Sequence, residues 1–205
     1  MMRCKSHETL IEIAKYAQIP VINGLTDYSH PCQIIASILT IIEKFGDLHG
    51  KIISWFGEPN NVLNSYIHAV KKFGFELRIS KPNSMTFSDN EINNEKSQGA
   101  KIEIFDNPKD AAKNADVIIT DTWFSMGDSY KDHQVKKDQK IRLLKPYQVN
   151  TSIMKLANKN AIFTHCLPVY RGFEATAEVV DSKQSVIFEE AENRLHAQKA
   201  IIYYL

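Results

Sequence analysis

Short apolar runs alternate with segments of helical spacing along most of the chain. Helical spacing is clearest over 61–74, which ends in a glycine, and over 151–160. Strands that alternate with helices form parallel βαβ units, so the pattern predicts an α/β fold with a doubly wound parallel sheet. Six apolar runs predict its strands: 51–57 (KIISWFG), 75–80 (FELRIS), 101–105 (KIEIF), 116–120 (DVIIT), 161–165 (AIFTH) and 184–188 (QSVIF).

The two ends of the chain depart from this rhythm. The first 49 residues are mainly helical in pattern, with a strongly apolar helix that Ser29 is placed to cap and a short buried strand expected over 19–22. A terminal helix is expected after the last strand. We therefore divide the chain into helical remnants of a first domain (1–49), a main α/β domain (50–188) and a C-terminal helix (189–205) that packs back toward the first part.

Composition narrows the class of protein. The 205 residues are 43% hydrophobic and 24% charged with a net charge of +1, so neither disorder nor a nucleic-acid partner is expected. The basic stretch 131–142 lacks aromatic residues and is expected to be a solvated mobile loop. No run reaches the ~18 apolar residues of a membrane span. The absence of a signal peptide and three widely spaced cysteines favour a cytoplasmic protein without disulfides.

Ligands of such sheets bind beyond the carboxyl ends of the strands, so the loops that follow the strands are the candidate ligand-binding segments. The first of these loops, 57–61 (GEPNN), lacks the G-x-G-x-x-G spacing of a dinucleotide site, and Pro59 removes an N–H donor. A nucleotide cofactor is therefore not expected. Asn60 and Asn61 are suited either to capping the next helix or to binding a zwitterionic ligand.

Two later loops carry side chains that can bind a ligand or take part in a reaction. Asp121, after the fourth strand, is suited to capping a helix or to holding a ligand ammonium group, and Trp123 is expected to serve packing. His165 and Cys166 leave their strand in opposite directions, which excludes the geometry of a thiol protease, and no spacing of zinc ligands is present. A thiol in a ligand crevice can still donate a hydrogen bond or accept a proton.

The segment 30–33 (HPCQ) lies at the predicted start of an apolar helix. Free N–H groups and the helix dipole favour an anion there. A plain capped helix has the same pattern, and spacing alone favours that simpler interpretation.

Five segments together resemble the ornithine carbamoyltransferase family. They follow the family's order over essentially the whole chain, and the S-M-G segment and His-Cys-Leu-Pro distinguish it from aspartate-using relatives. The resemblance implies the family's α/β fold, transfer of a carbamoyl group to ornithine, and no metal or organic cofactor. The segments are 23–33 (NGLTDYSHPCQ), 60–62 (NNV), 121–127 (DTWFSMG), 165–172 (HCLPVYRG) and 189–200 (EEAENRLHAQKA).

The same resemblance implies roles for individual residues. Cys166 matches the family's proton acceptor, and cationic groups would stabilise the departing phosphate. The residues that match ornithine contacts are Asn61, Asp121, Ser125 and Met126. Those that match carbamoyl phosphate contacts are Arg3, His30, Pro31, Cys32, Gln33, Cys166, Leu167 and Arg194.

The chain departs from the family pattern in two respects. It lacks the S-x-R-T phosphate loop of the family's first domain and corresponds to roughly the last two thirds of the family's length, while Pro59 stands where a glycine is usual. The family's homotrimer contacts belong to that first domain, so a trimer is not expected without it. An exposed apolar patch is expected instead on one helix, made of Ile34, Ile35, Ile38, Leu39, Ile41 and Ile42.

Three functional hypotheses remain open. The chain is an ornithine carbamoyltransferase that works together with a missing piece, or it is a non-catalytic remnant or amino-acid-binding module. A third hypothesis keeps the chemistry but changes the acceptor to putrescine or a modified ornithine. Asp121 and the segment 125–127 favour ornithine itself.

Overall fold

The chain begins with a small parallel pair of strands and two helices. The computed structural model describes residues 1–85, 87, 89–124 and 134–205. Strand β1 (Met2–Arg3) pairs with β2 (Asn23–Leu25), with α1 (His7–Tyr16) between them in sequence, and α2 (Pro31–Phe45) follows. The expected helical character of this part is confirmed, whereas the two-stranded sheet was not predicted.

A five-stranded parallel sheet forms the centre of the remaining chain. Its strand order is β5-β4-β3-β6-β7, with every neighbouring pair parallel. The predicted α/β fold with a doubly wound parallel sheet is therefore confirmed. The strands are β3 (Ile52–Phe56), β4 (Glu76–Ser80), β5 (Lys101–Phe105), β6 (Val117–Thr120) and β7 (Ile162–Thr164).

Helices connect and cover these strands. Asn60 caps the helix after β3 by accepting hydrogen bonds from the backbone N–H groups of Val62 and Leu63, and Gly74 ends that helix in the left-handed conformation. The helices are α3 (Asn61–Phe73), α4 (Asp89–Ser97), α5 (Pro108–Ala112), α6 (Gln134–Leu144), α7 (Thr151–Met154), α8 (Ala177–Val180) and α9 (Ile187–Tyr204), with a 3₁₀ turn at Lys145–Tyr147.

Both faces of the sheet are buried at its central strands, which explains why β3 and β6 are apolar almost without alternation, whereas the outer strands β4 and β5 alternate. Ile53 and Trp55 of β3 pack into the core beneath α2 and α3, whereas Phe56 packs into the core on the opposite face. In β6, Ile119 and Ile118 divide between the two cores in the same way, because successive side chains of a strand point to opposite faces.

The strand order creates a crevice between β3 and β6. From β3 the chain moves to β4 and β5 on one side, and it then returns across the sheet to β6 and β7. The loops that follow β3 and β6 therefore diverge at their shared edge, which is the topological switch point where such sheets bind ligands.

Five local predictions were wrong. The helix expected over 151–160 ends at Met154 as the short α7. A strand was expected over 19–22, but the strand in this part of the chain is β2, at Asn23–Leu25. Helix α2 has His30, and not Ser29, at its N-cap position. Residues 184–188 make only an isolated bridge at Ser185 before α9 begins. The stretch 131–142 was expected to be a loop, but from Gln134 onward it forms α6.

The predicted apolar patch on α2 is only partly present. Ile34, Ile38 and Ile41 are buried against the sheet and α3, because α2 packs closely on this domain. Ile35 and Ile42 are 40% and 38% exposed, so the exposed part of the patch is confined to the outer side of the helix.

Within the described residues, no helix combines the length and apolar character that a membrane crossing requires.

Ile79 and Ile104 provide a matched test of core packing, because they are paired on neighbouring strands. Ile79 is fully buried, whereas Ile104 on the edge strand is 42% exposed. We expect Ile79→Ala to lower the free energy of unfolding by about 2–5 kcal/mol, as cavity-forming substitutions do, and Ile104→Ala to lower it much less. Urea denaturation of both variants measures the difference, and equal losses would contradict the assigned core.

Candidate active site

Loops from both parts of the chain line one crevice at the topological switch point. The cavity has a volume of about 350 Å³. It brings together residues that lie far apart in sequence, including most of those expected to contact ligands. The lining residues are Arg3, Leu25, His30, Gln33, Asn60, Asn61, Val62, Asp121, Thr122, Cys166, Leu167, Pro168 and Arg194.

The asparagine pair after β3 is divided between two tasks. Asn60 caps α3 through its side-chain oxygen and also donates from Nδ2 to Asp121 Oδ2 at 2.6 Å, across the switch point. Asn61 lines the cavity and donates from Nδ2 to the Thr26 carbonyl at 2.6 Å. The capping interpretation is therefore confirmed for Asn60, and the ligand-binding role of Asn61 stays a prediction.

Asp121 and Cys166 form a hydrogen-bonded pair at the acidic side of the crevice. The thiol donates to Asp121 Oδ1 over 3.1 Å, and the backbone N–H of Thr122 donates to the same oxygen at 2.7 Å. Burial, followed by the neighbouring Asp121 carboxylate, raises the pKa of the Cys166 thiol well above its usual value. The thiol is therefore protonated at neutral pH and acts as a hydrogen-bond donor in the ligand-free chain.

His30 stands at the N-terminus of α2, on the basic side of the crevice. Its backbone N–H donates to Ser65 Oγ at 2.7 Å, and its buried Nδ1 has no hydrogen-bond partner among the described residues. Burial, with Arg194 and Arg3 nearby, lowers the pKa of His30 to about 4. The imidazole is therefore neutral at pH 7, and its ring presents one N–H donor and one acceptor.

A buried glutamate joins this side of the crevice to α9. Gln33 donates from Nε2 to Glu190 Oε1 at 2.8 Å, and Arg194 donates from Nη1 to Gln33 Oε1 at 2.6 Å. Ser37 also donates its hydroxyl to Glu190, and the backbone N–H of His165 donates to Glu190 Oε2 at 3.2 Å. Glu190 thus links α2, α9 and the loop after β7.

The loop after β7 is held in a defined conformation by His165. Its Nδ1 accepts from the backbone N–H of Leu167 at 2.9 Å, while Nε2 faces the buried Glu174 carboxylate at 3.6 Å. Leu167 has a φ of 58°, a left-handed conformation that a branched side chain adopts only when its surroundings impose it. The loop therefore presents Cys166 and Leu167 to the cavity in a fixed arrangement.

One group of potential metal ligands occurs among the described residues. Single ligand atoms of Asp121, His165 and Cys166 lie within 4.8 Å of one another. However, Cys166 already donates to Asp121, and the Nδ1 lone pair of His165 is occupied by the N–H of Leu167. The expected absence of a metal stays a prediction.

Not all of the expected site residues line the cavity. Pro31 and Cys32 do not line the cavity: Pro31 borders an apolar groove between α2 and α3, and the Cys32 thiol donates to the Asn23 carbonyl at 3.3 Å. Ser125 and Met126 lie outside the described residues. Trp123 is fully buried, as expected of a packing residue.

The sequence pattern did not indicate that Asn60 is a partner of Asp121, and it gave no sign of the role of Glu190. Glu190 lies within the quoted segment 189–200, so the pattern contained it. Nothing in the pattern distinguished this buried glutamate from the exposed Glu189 and Glu192 beside it.

The fold and the crevice define a doubly wound α/β protein whose site is basic at one side and acidic at the other. Comparison with known proteins is specific. The family model described as aspartate/ornithine carbamoyltransferase, Asp/Orn binding domain, matches residues 49–205. The model described as the carbamoyl-P binding domain of the same family matches residues 1–43.

Individual relatives agree with the family models. An ornithine carbamoyltransferase of Rhodopseudomonas palustris is 50% identical over 202 residues, which are 98% of this chain and 63% of the relative. The structure of ornithine carbamoyltransferase from Pyrococcus furiosus is 40% identical, with a TM-score of 0.87 over 98% of this chain and 64% of that one. The anabolic enzyme from Campylobacter jejuni is 37% identical, with a TM-score of 0.89 over 99% of this chain and 67% of that one.

The chain belongs to the aspartate/ornithine carbamoyltransferase family. It spans 63% of the length of the Rhodopseudomonas relative.

The neutral state of His30 leads to a prediction about its titration. We expect its pKa to be about 4, and Arg194→Gln to raise it while leaving it below 6.5, since burial is the larger cause of the shift. Stability should fall as the pH drops from 6.5 towards 4, because only the unfolded chain takes up a proton there. NMR titration of the histidine ring signals measures the pKa of His30 in the wild-type chain and in Arg194→Gln. Arg171→Gln, which removes a surface arginine paired with Asp181, is the control and should leave the pKa of His30 unchanged.

The Cys166–Asp121 pair leads to a second prediction. Asp121→Asn removes the negative charge that opposes thiolate formation, so the pKa of Cys166 should fall, yet stay above its ordinary value because burial remains. A pH titration with ¹³C-labelled cysteine follows each thiol separately. Asp110→Asn on the surface should have no effect, and an unchanged thiol pKa in Asp121→Asn would contradict the pairing.

Proposed function

We propose that the chain binds carbamoyl phosphate and L-ornithine and transfers the carbamoyl group to the δ-amine, which gives L-citrulline and phosphate. The observation that carries this proposal is the polarity of the crevice. Arg3, Arg194 and the N-terminus of α2 line one side, and Asp121 lines the other. An anion and an ammonium group fit such a site side by side.

The basic side is suited to the acyl phosphate. Arg3 and Arg194 supply charge-assisted donors for the phosphate, and the neutral ring of His30 supplies an N–H donor for the carbonyl oxygen, where negative charge develops. Leu167 also lines the cavity and is assigned to carbamoyl phosphate by family resemblance, and its backbone N–H donates to His165 Nδ1.

The acidic side is suited to the amino acid. Asp121 pairs with the α-ammonium group of ornithine, and Asn61 orients the amino-acid end. Ser125 and Met126 are assigned to the same ligand by family resemblance. We assign Cys166 to aligning the attacking amine, since its thiol is protonated in the free chain. The role of proton acceptor remains the family-based prediction for this residue.

The reaction forms one C–N bond, breaks one C–O bond and transfers one proton. The δ-amine, in its unprotonated form, attacks the carbamoyl carbon, and the bond from that carbon to the phosphate oxygen breaks. The amine loses one proton as the new C–N bond forms, and the departing phosphate is a suitable base for it. The contribution of the protein is then chiefly the positioning of two substrates in one cavity, together with electrostatic stabilisation.

The remaining assignments follow from family membership. We propose that residues 1–49 are the part of the chain that belongs to the carbamoyl-phosphate domain and that 50–188 bind ornithine. The helix over 189–205 then packs back on the first part, and the hydrogen bonds of Glu190 and Arg194 to α2 support this. A cytoplasmic location and a place in arginine biosynthesis are proposed with the activity. Homotrimer formation, as in the family, is expected only when the rest of the first domain is supplied.

Citrulline formation tests the proposal directly. The purified chain is incubated with ornithine and carbamoyl phosphate, alone and with a family first domain supplied as a separate chain. We expect citrulline in at least one of the two reactions. Putrescine and N-acetylornithine serve as competing acceptors, and a clear preference for either would move the acceptor assignment away from ornithine.

Substitution of Asp121 tests the assignment of the acceptor site. Asp121→Asn should weaken ornithine binding by about 10- to 100-fold, the effect of losing one hydrogen bond to a charged group, with Asp110→Asn as the surface control. Calorimetric titration with ornithine measures the change. Ornithine binding by folded protein with no citrulline in either reaction would favour an amino-acid-binding module, and unaltered binding by Asp121→Asn would exclude the assigned ammonium partner.

A further inference from the structure

Glu190 contacts Gln33, a residue that lines the crevice, but it does not line the crevice itself. Its side chain is almost fully buried, with 2% of the residue exposed. A carboxylate withdrawn from water is tolerated when donors surround it, and here three groups donate to it: the Gln33 amide, the Ser37 hydroxyl and the His165 backbone N–H. Glu190 is not part of the roles proposed above.

These contacts fix which end of the Gln33 amide faces each neighbour. An arginine only donates, so the atom that faces Arg194 at 2.6 Å must be the amide oxygen. Both oxygens of Glu190 already accept, one from the Ser37 hydroxyl and one from the His165 N–H, so the Gln33 atom that faces Glu190 is the donor nitrogen. Both neighbours therefore require the same orientation of the amide.

The same contacts leave Gln33 with an acceptor and no donor for a ligand. Its two amide hydrogens are directed to Glu190 at 2.8 Å and to Ser37 Oγ at 3.4 Å. Its carbonyl oxygen has two lone pairs, of which Arg194 occupies one. Since Gln33 lines the cavity, the remaining lone pair is the group it offers to a bound molecule.

We propose that Glu190 is a positioning residue that selects the acyl group: by holding Gln33 with its carbonyl oxygen toward the crevice, it favours an acyl phosphate whose acyl carbon carries an N–H donor. The proposal rests on the proposed function, since carbamoyl phosphate is then the ligand. Acetyl phosphate has a methyl group in place of the amino group and cannot make this hydrogen bond.

The variant Glu190→Gln tests the orientation with little change of shape. If the new amide oxygen accepts from Gln33, the new amide nitrogen faces the His165 N–H, and two donors oppose each other. If the new amide is reversed, its nitrogen faces the Gln33 nitrogen and favours rotation of the Gln33 amide by half a turn. Neither arrangement keeps both original contacts. Glu189→Gln is the matched control, because Glu189 precedes it on α9 and makes only an exposed pair with Lys44 among its described ion pairs.

The experiment compares the binding of freshly prepared carbamoyl phosphate and acetyl phosphate to the full 205-residue chain by calorimetric titration. We expect the wild-type chain to prefer carbamoyl phosphate by about tenfold, the usual effect of one hydrogen bond. Glu190→Gln should lose most of this preference through weaker binding of carbamoyl phosphate, with acetyl phosphate unchanged. Glu189→Gln should bind both as the wild-type chain does.

Other outcomes would overturn the proposal. Equal affinity of the wild-type chain for the two phosphates, binding of neither, or an undiminished preference in Glu190→Gln would each do so. Equal weakening of both ligands would also do so, because Glu190 would then support the site without selecting the acyl group.

A second measurement needs no variant at Glu190. The side-chain NH₂ hydrogens of Gln33 in the wild-type chain should exchange slowly with solvent, because Glu190 and Ser37 accept both of them. Fast exchange of both hydrogens would show that Glu190 does not hold the amide, contrary to the proposal. Citrulline formation with no effect of Glu190→Gln on selectivity would leave the proposed function intact and remove only this inference.

Discussion

A single buried carboxylate connects the parts of the chain that form the crevice. Burying a charge is costly unless donors replace the lost water, and the donors to Glu190 come from α2 and from the loop after β7. The packing of α9 against α2 and the position of the Cys166 loop therefore depend on one another. A displacement of either would remove donors from the Glu190 carboxylate in a region closed to solvent.

This constraint acts on a crevice whose two sides have opposite character. The basic side contains two arginines but a neutral histidine, since burial and those same arginines disfavour the imidazolium form of His30. The acidic side contains an aspartate whose neighbouring thiol stays protonated. His30 and Cys166 are therefore both neutral near pH 7 and act there as hydrogen-bonding groups.

Local signals predicted the larger elements well because those elements depend on local chemistry. Apolar runs indicated all five strands of the main sheet, and Gly74 indicated the end of α3. For its start the sequence offered the pair Asn60 and Asn61, with helix capping as one of two interpretations. The errors occurred where tertiary contacts outweighed propensity. Ser29 is a good capping residue, but α2 has His30 at its N-cap position, and the His30 N–H donates to Ser65, 35 residues away in sequence. The stretch that begins at Gln134 is rich in charged residues, and it forms a helix whose last residue, Leu144, is fully buried.

The sequence by itself determined the fold class, the family and most of the residues that meet at the crevice, because motifs of this specificity carry that information along the chain. Only the tertiary structure decided how those residues are paired. Asn60 donates to Asp121 across the switch point, and Glu190 holds Gln33. Such pairs join residues separated by 61 and 157 positions. The physical reason is that a hydrogen bond depends on the distance and direction between two atoms, which folding sets and spacing along the chain does not.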